Sequence, residues 1–174
     1  MTPDELKAKI RAAFADVERP PHWCITDSNE GDEPASLRQE FAEVPDWASL
    51  STTFLDQAPN GYGSALSFFS DEAFRYYLPA FVIADLDDAL DRTDPVFHLT
   101  HGLGASATKR INPRRYGDRT FGDAARHRFS LFTPEQCAAI AAYLRYKADQ
   151  DEFAASSIEP ALASYWLQRT VTDR

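Results

Sequence analysis

The run from Ser70 to Leu90 constrains this chain more than any other stretch. Ser70 reads as an N-cap, and Asp71 and Glu72 fall in the first turn, where carboxylates suit the helix dipole. Phe74, Tyr77, Leu78, Phe81, Val82, Leu86 and Leu90 follow at helical spacing. So dense an apolar run predicts a helix at the centre of a core. Pro79 interrupts it. A proline removes one backbone donor and clashes with the preceding turn, so the helix is expected to kink there or to split in two.

Other helices announce themselves by their caps. Thr2-Pro3-Asp4-Glu5 is a capping box with proline at the first helical position, and Leu6, Ile10, Phe14 and Val17 then line one face. Pro20-Pro21 ends that helix. Thr133-Pro134-Glu135-Gln136 is a second box, followed by a buried stripe of Cys137, Ile140, Tyr143 and Leu144. A last helix is expected from about Ser157 to Arg169, with Ile158, Leu162, Tyr165 and Trp166 inward and Pro160 in its first turn. Asn29 to Pro34 reads as a polar loop, Ser36 to Glu43 as a short helix, and Pro45-Asp46-Trp47 as another helical start. Ala58 to Ser64, with Pro59, Asn60, Gly61 and Gly63, is a turn. Val96 to His101 is short, apolar and β-branched, and reads as a strand or extended segment.

The fold class is therefore mainly α: a single-domain helical bundle of about six helices, with a kinked central helix and at most a short extended segment. One domain is expected over residues 1–174, since a chain of this size buries roughly 70% of its unfolded surface without a staple. Hydrophobic residues make up 44%, enough for a core. The two cysteines, Cys24 and Cys137, show neither metal spacing nor a CxxC pair, and read as reduced thiols in a cytoplasmic protein. No charged-then-apolar leader opens the chain, and no apolar stretch approaches a membrane span of about 20 residues.

Net charge is -9, which disfavours broad contact with a phosphate backbone. The charge is uneven. Between Ala105 and Ser130 stand Lys109, Arg110, Arg114, Arg115, Arg119, Arg126 and Arg128, opposed only by Asp118 and Asp123, for a local +5 against -14 elsewhere. This basic loop has few apolar anchors: Ile111, Tyr116 and Phe121. It either lies across the protein's own acidic surface or is mobile, or it binds RNA, an acidic partner or a sister subunit, and Arg114 and Arg115 are its candidate contact residues.

Chemistry-bearing residues are few. His98 and His101 stand three apart, a spacing that puts two imidazoles on one face of a helix and on opposite faces of a strand. Arg75, Tyr76 and Tyr77 form a donor cluster suited to a carboxylate or phosphate. Asp85, Asp87, Asp88, Asp91 and Asp94 form an acidic run; Asp85 lies beside the apolar stripe and needs a partner if buried, while Asp87, Asp88 and Asp91 make a solvated helical face. There is no nucleophile elbow, Walker loop, dinucleotide fingerprint or HExxH, and no cofactor is expected.

Three phrases stand out together: Phe69 to Phe81 (FSDEAFRYYLPAF), Asp94 to Thr100 (DPVFHLT), and Phe132 to Gln136 (FTPEQ) with Tyr143-Leu144. They resemble a bacterial family of unknown function, over the stretch from Ile10 to Trp166. The resemblance implies bacterial origin and one domain, and supplies no catalytic residues; the segment from Ala105 to Ser130 departs from its pattern and reads as an insertion. Three function classes follow from the residues. The first is a protein-interaction or regulatory, immunity-like module using the basic loop. The second is a metal-assisted hydrolase using His98 and His101 with an aspartate. The third is a small-ligand binder at Arg75, Tyr76 and Tyr77.

Overall fold

A helix apolar on nearly every side can exist in water only if other elements wrap it. The computed structural model, which describes residues 1–28 and 30–170, meets that demand with helices. Among the described residues there are ten: α1 (Pro3–Phe14), α2 (Asp32–Ala42), α3 (Thr52–Gln57), α4 (Ala65–Phe68), α5 (Asp71–Leu86), α6 (Pro95–Thr100), α7 (Pro113–Tyr116), α8 (Phe121–Phe129), α9 (Pro134–Gln150) and α10 (Glu152–Ser164). The expected helical class is what the chain adopts. Pairing of the β type is confined, among these residues, to two isolated bridges, Thr26 with Phe69 and Arg110 with Thr120. No described helix is long and apolar enough to cross a membrane. Packing divides the chain into two compact units, Thr2–Pro95 and the part from Val96 onward.

In the first unit α5 is the buried element. Its Phe74, Tyr77, Leu78, Phe81 and Val82 are fully covered, as are Leu6, Ile10 and Phe14 of α1. Tyr77 stacks on Phe69 (5.2 Å, 19°), and both rings meet Phe41 of α2 edge-on, at 4.8 and 5.0 Å. Such pairs add about 0.5–1.5 kcal/mol each beyond the area they bury. The helix start is tied down as the sequence implies: the Ser70 hydroxyl caps the Ala73 N–H (3.1 Å) and donates to the Cys24 carbonyl, while the Ser70 N–H reaches the Ile25 carbonyl (2.9 Å).

Pro79 sits inside α5, and of the two outcomes expected there the helix does not split. Three expectations for this unit need correcting. The helix stops at Leu86, short of Leu90: Asp88 takes a left-handed φ of 51° and the Ala89 N–H folds back to the Ala84 carbonyl (3.0 Å), a termination that satisfies the last carbonyls. Asp87 and Asp88 therefore end the helix rather than decorate its face. The loop expected up to Pro34 is already α2 from Asp32, while Asn29 lies outside the described residues. The start at Asp46 yields a single 3-10 turn, Trp47–Ser49, before Ser51 caps α3.

The second unit is held by Trp166. Its ring is fully buried against Phe129 (4.7 Å) and Phe132 (5.7 Å), and its indole N–H donates to the Leu99 carbonyl of α6 (2.9 Å). The Thr133–Gln136 box forms as expected and starts α9. The last helix begins earlier than expected, because the Asp151 carboxylate caps the Phe153 N–H (2.8 Å). Pro160 consequently stands in the interior of α10, and Trp166 lies beyond it in a 3-10 turn. Residues 152–169 are bent by 39°. Val96 to His101 is not extended. Proline suits a first helical turn, Thr100 bonds back to the Val96 carbonyl (2.9 Å), and Val96, Leu99 and Leu103 bury one helical face.

Trp166→Phe keeps most of the ring packing and leaves the Leu99 carbonyl without its donor. Loss of that bond is expected to cost about 1–3 kcal/mol, read as a lower urea midpoint with an unchanged slope.

Candidate functional site

The basic segment is not a loop. Lys109 and Phe121 close it at the base (Phe121 N–H to the Lys109 carbonyl, 2.9 Å), Ile111 and Arg119 pair next (2.9 Å), and α7 forms the tip. The result is a short hairpin, residues 109–121, that presents Arg114 and Arg115 on its end and feeds directly into α8. Tyr116, an expected anchor, is instead exposed, with Arg115 over its ring at 5.5 Å; Ile111 and Phe121 are half-buried.

Both carboxylates expected to offset the segment are committed locally. Asp118 pairs with Arg110 at 3.1 Å. Asp123 closes the capping box of α8, taking the Thr120 N–H (2.9 Å) and hydroxyl (2.8 Å), and those bonds hold its carboxyl below the usual range. Arg126 is drawn inward, onto the Ser164 carbonyl (3.3 Å) and the Tyr165 ring (5.7 Å). Lys109, Arg114 and Arg119 are left exposed, with no ion-pair partner among the described residues. Their charge faces water.

The base of the hairpin is joined to α6 by two glycines. Gly102 has φ +84°, and a Cβ there would lie 2.5 Å from the Phe121 carbonyl oxygen; one on Gly122 would lie 2.8 Å from that of Ala107. This close approach sets His101 between Phe97 (4.9 Å) and Phe121 (4.8 Å), with the His98 ring edge-on to Phe97 (5.3 Å). His98 thus lies in α6 and His101 in the turn just after it, its N–H on the Phe97 carbonyl (2.8 Å), contrary to the extended reading. Burial pushes His98 down to about 4, with Arg128 and His101 adding to it; burial and then Lys109 lower His101. Both are neutral bases near pH 7. Among the described residues, no group of three or more His, Cys, Asp and Glu side chains is placed to hold a metal.

Arg75, Tyr76 and Tyr77 go elsewhere. Tyr76 and Tyr77 are only 6% and 0% exposed. Burial raises both phenols, and the Asp46 carboxylate adds to the rise at Tyr76. The buried Tyr77 hydroxyl has no hydrogen-bond partner among the described residues: the nearby Arg19 guanidinium donates instead to the carbonyls of Phe41 (3.2 Å) and Ala42 (2.7 Å). Arg75 and Asp85 are half-buried, and ten residues of helix separate them by about 15 Å, too far for one contact site. The role of Gly102 and Gly122 was not legible in the sequence, because the backbone contacts that demand glycine there, to Phe121 and Ala107, exist only in the fold.

A family model described as a family of unknown function (DUF6714) matches residues 2–170. No curated protein and no solved structure matches the chain.

The histidine environment gives a pH dependence. In the unfolded chain an imidazole titrates near pH 6.5, so between 6.5 and about 4 the unfolded state takes up a proton that native His98 refuses. The contribution of neutral His98 is full above 6.5 and is lost as pH falls towards 4, with a slope of at most about 1.4 kcal/mol per pH unit. Urea unfolding at pH 7 and pH 5 should show wild type losing more stability than His98→Asn; equal losses would contradict this account.

Proposed function

We propose a role for this chain as a member of the family of unknown function DUF6714, to which it belongs: a protein-interaction module of regulatory, immunity-like kind, whose contact surface is the basic hairpin and whose partner is an acidic protein surface. The observation that carries this reading is the commitment of Asp118 and Asp123 to local bonds, which leaves Lys109, Arg114 and Arg119 exposed and without a salt bridge among the described residues. Self-neutralisation within the segment is limited to those two carboxylates, against seven basic residues. A bridged hairpin also fixes the spacing of its cations before binding, which lowers the ordering cost of association. Complementary charge of this kind steers encounter and selects partners more than it adds affinity. The dominant acidity of the remaining chain, 25 acidic against 11 basic residues, works against a long nucleic acid and suits a compact contact.

Fluorescence anisotropy with a labelled polyglutamate peptide tests the reading. Binding is expected at low salt and is expected to weaken as the Debye length shrinks to about 8 Å at physiological ionic strength. Replacing Lys109, Arg114 and Arg119 together by alanine should weaken it about tenfold without moving the melting temperature. Indifference of binding to that triple change, or a single-stranded RNA of equal charge binding more tightly than the peptide, would count against it.

A further inference from the structure

The side of α5 away from the Tyr77 stack meets α1 across a small cleft. Ala80, Ile83, Ala84 and Asp87 follow one another at helical spacing along its edge, and Arg11, Trp47 and Leu55 close it from α1, the 3-10 turn and α3. The recess exists because Ala80 and Ala84 have no side chain beyond Cβ to fill it. Its volume is about 80 Å³. That compares with a share of roughly 30 Å³ per water in the liquid, so it holds about three carbons inside, with a further one at the open mouth, and nothing of drug size.

The charges at its mouth are unequal in availability. Asp87 is held by Lys7 at 2.7 Å, and Lys7 also reaches Asp4 at 2.9 Å. Lys7 thereby takes the carboxylate that would otherwise serve the next cation along α1. That cation is Arg11, one turn on from Lys7; it is exposed and has no ion-pair partner among the described residues. A planar guanidinium beside an apolar recess recognises a carboxylate far better than an amine, by charge and by its paired N–H donors.

We propose that this cleft binds a short aliphatic monocarboxylate, its carboxylate on Arg11 and its hydrocarbon tail against Ala80, Ala84 and Leu55. Chain length sets the selectivity. Each methylene buried contributes about a fourfold gain in affinity until the recess is full, after which lengthening the tail brings nothing. The site is separate from the hairpin, and its occupant is a metabolite-sized anion, not a protein.

The test is a titration followed through the indole N–H signal of Trp47, in the wall of the cleft, using propionate, butyrate, valerate and octanoate, with butylamine and butanol as charge controls. Saturable shifts in the millimolar range are expected for the acids, tightening from propionate to valerate and levelling at octanoate. Arg11→Gln, a surface change, should weaken valerate about tenfold. Ala84→Leu should fill the recess and abolish binding. The hairpin triple variant should bind valerate like wild type, which separates this proposal from the one above. Equal responses to valerate and butylamine, an unaffected Arg11→Gln protein, or no saturable shift at tens of millimolar would each overturn it.

Discussion

Covering α5 is the requirement that organises the first unit. Eleven of its sixteen residues are buried, so no single partner suffices. α1 covers it with Leu6, Ile10 and Phe14, and α2 and α4 bring Phe41 and the Phe69 end against Tyr77. The short elements α3 and Trp47–Ser49, capped by Ser51 and Asp46, close what remains. The cleft at Arg11 is the place where that cover is incomplete, because two alanines stand where larger side chains would have sealed it.

The second unit solves a different problem with one side chain. A tryptophan buries its ring only if its N–H finds an acceptor. The Leu99 carbonyl supplies one, and this bond fixes α6 against the end of the chain. With α6 fixed, the glycine-lined approach of residues 102–107 to α8 sets both the hairpin base and the His101 sandwich. Charge at the surface and packing in the interior belong to one construction here.

The candidate site was legible in part. The excess of basic residues in 105–130 was visible as composition, and its two acids were countable. Their fate was not: whether Asp118 meets Arg110 and Asp123 closes a cap depends on the turn between them, and hence on a hairpin whose pairing no periodicity announces. In the donor cluster Arg75-Tyr76-Tyr77 the burial of the tyrosines was what the sequence left open. Its residue types suit recognition, but consecutive helical residues point about 100° apart, and a helix covered on nearly all sides turns the tyrosines into packing.

By itself the sequence determined the helical class, the central burial of Phe74 to Val82 and the starts at Thr2, Ser70 and Thr133. These rest on local facts: a side chain capping a backbone N–H three residues on, and apolar spacing near 3.6. Tertiary structure decided that Val96 to Thr100 is helical, that α5 ends at Leu86, and which cations remain available. Each of those outcomes depends on a partner distant in the chain or on a turn geometry, such as Trp166 on Leu99, Asp87 on Lys7 or Phe121 over Gly102. A short apolar run has nearly the same free energy as strand or helix until such a contact selects one of them.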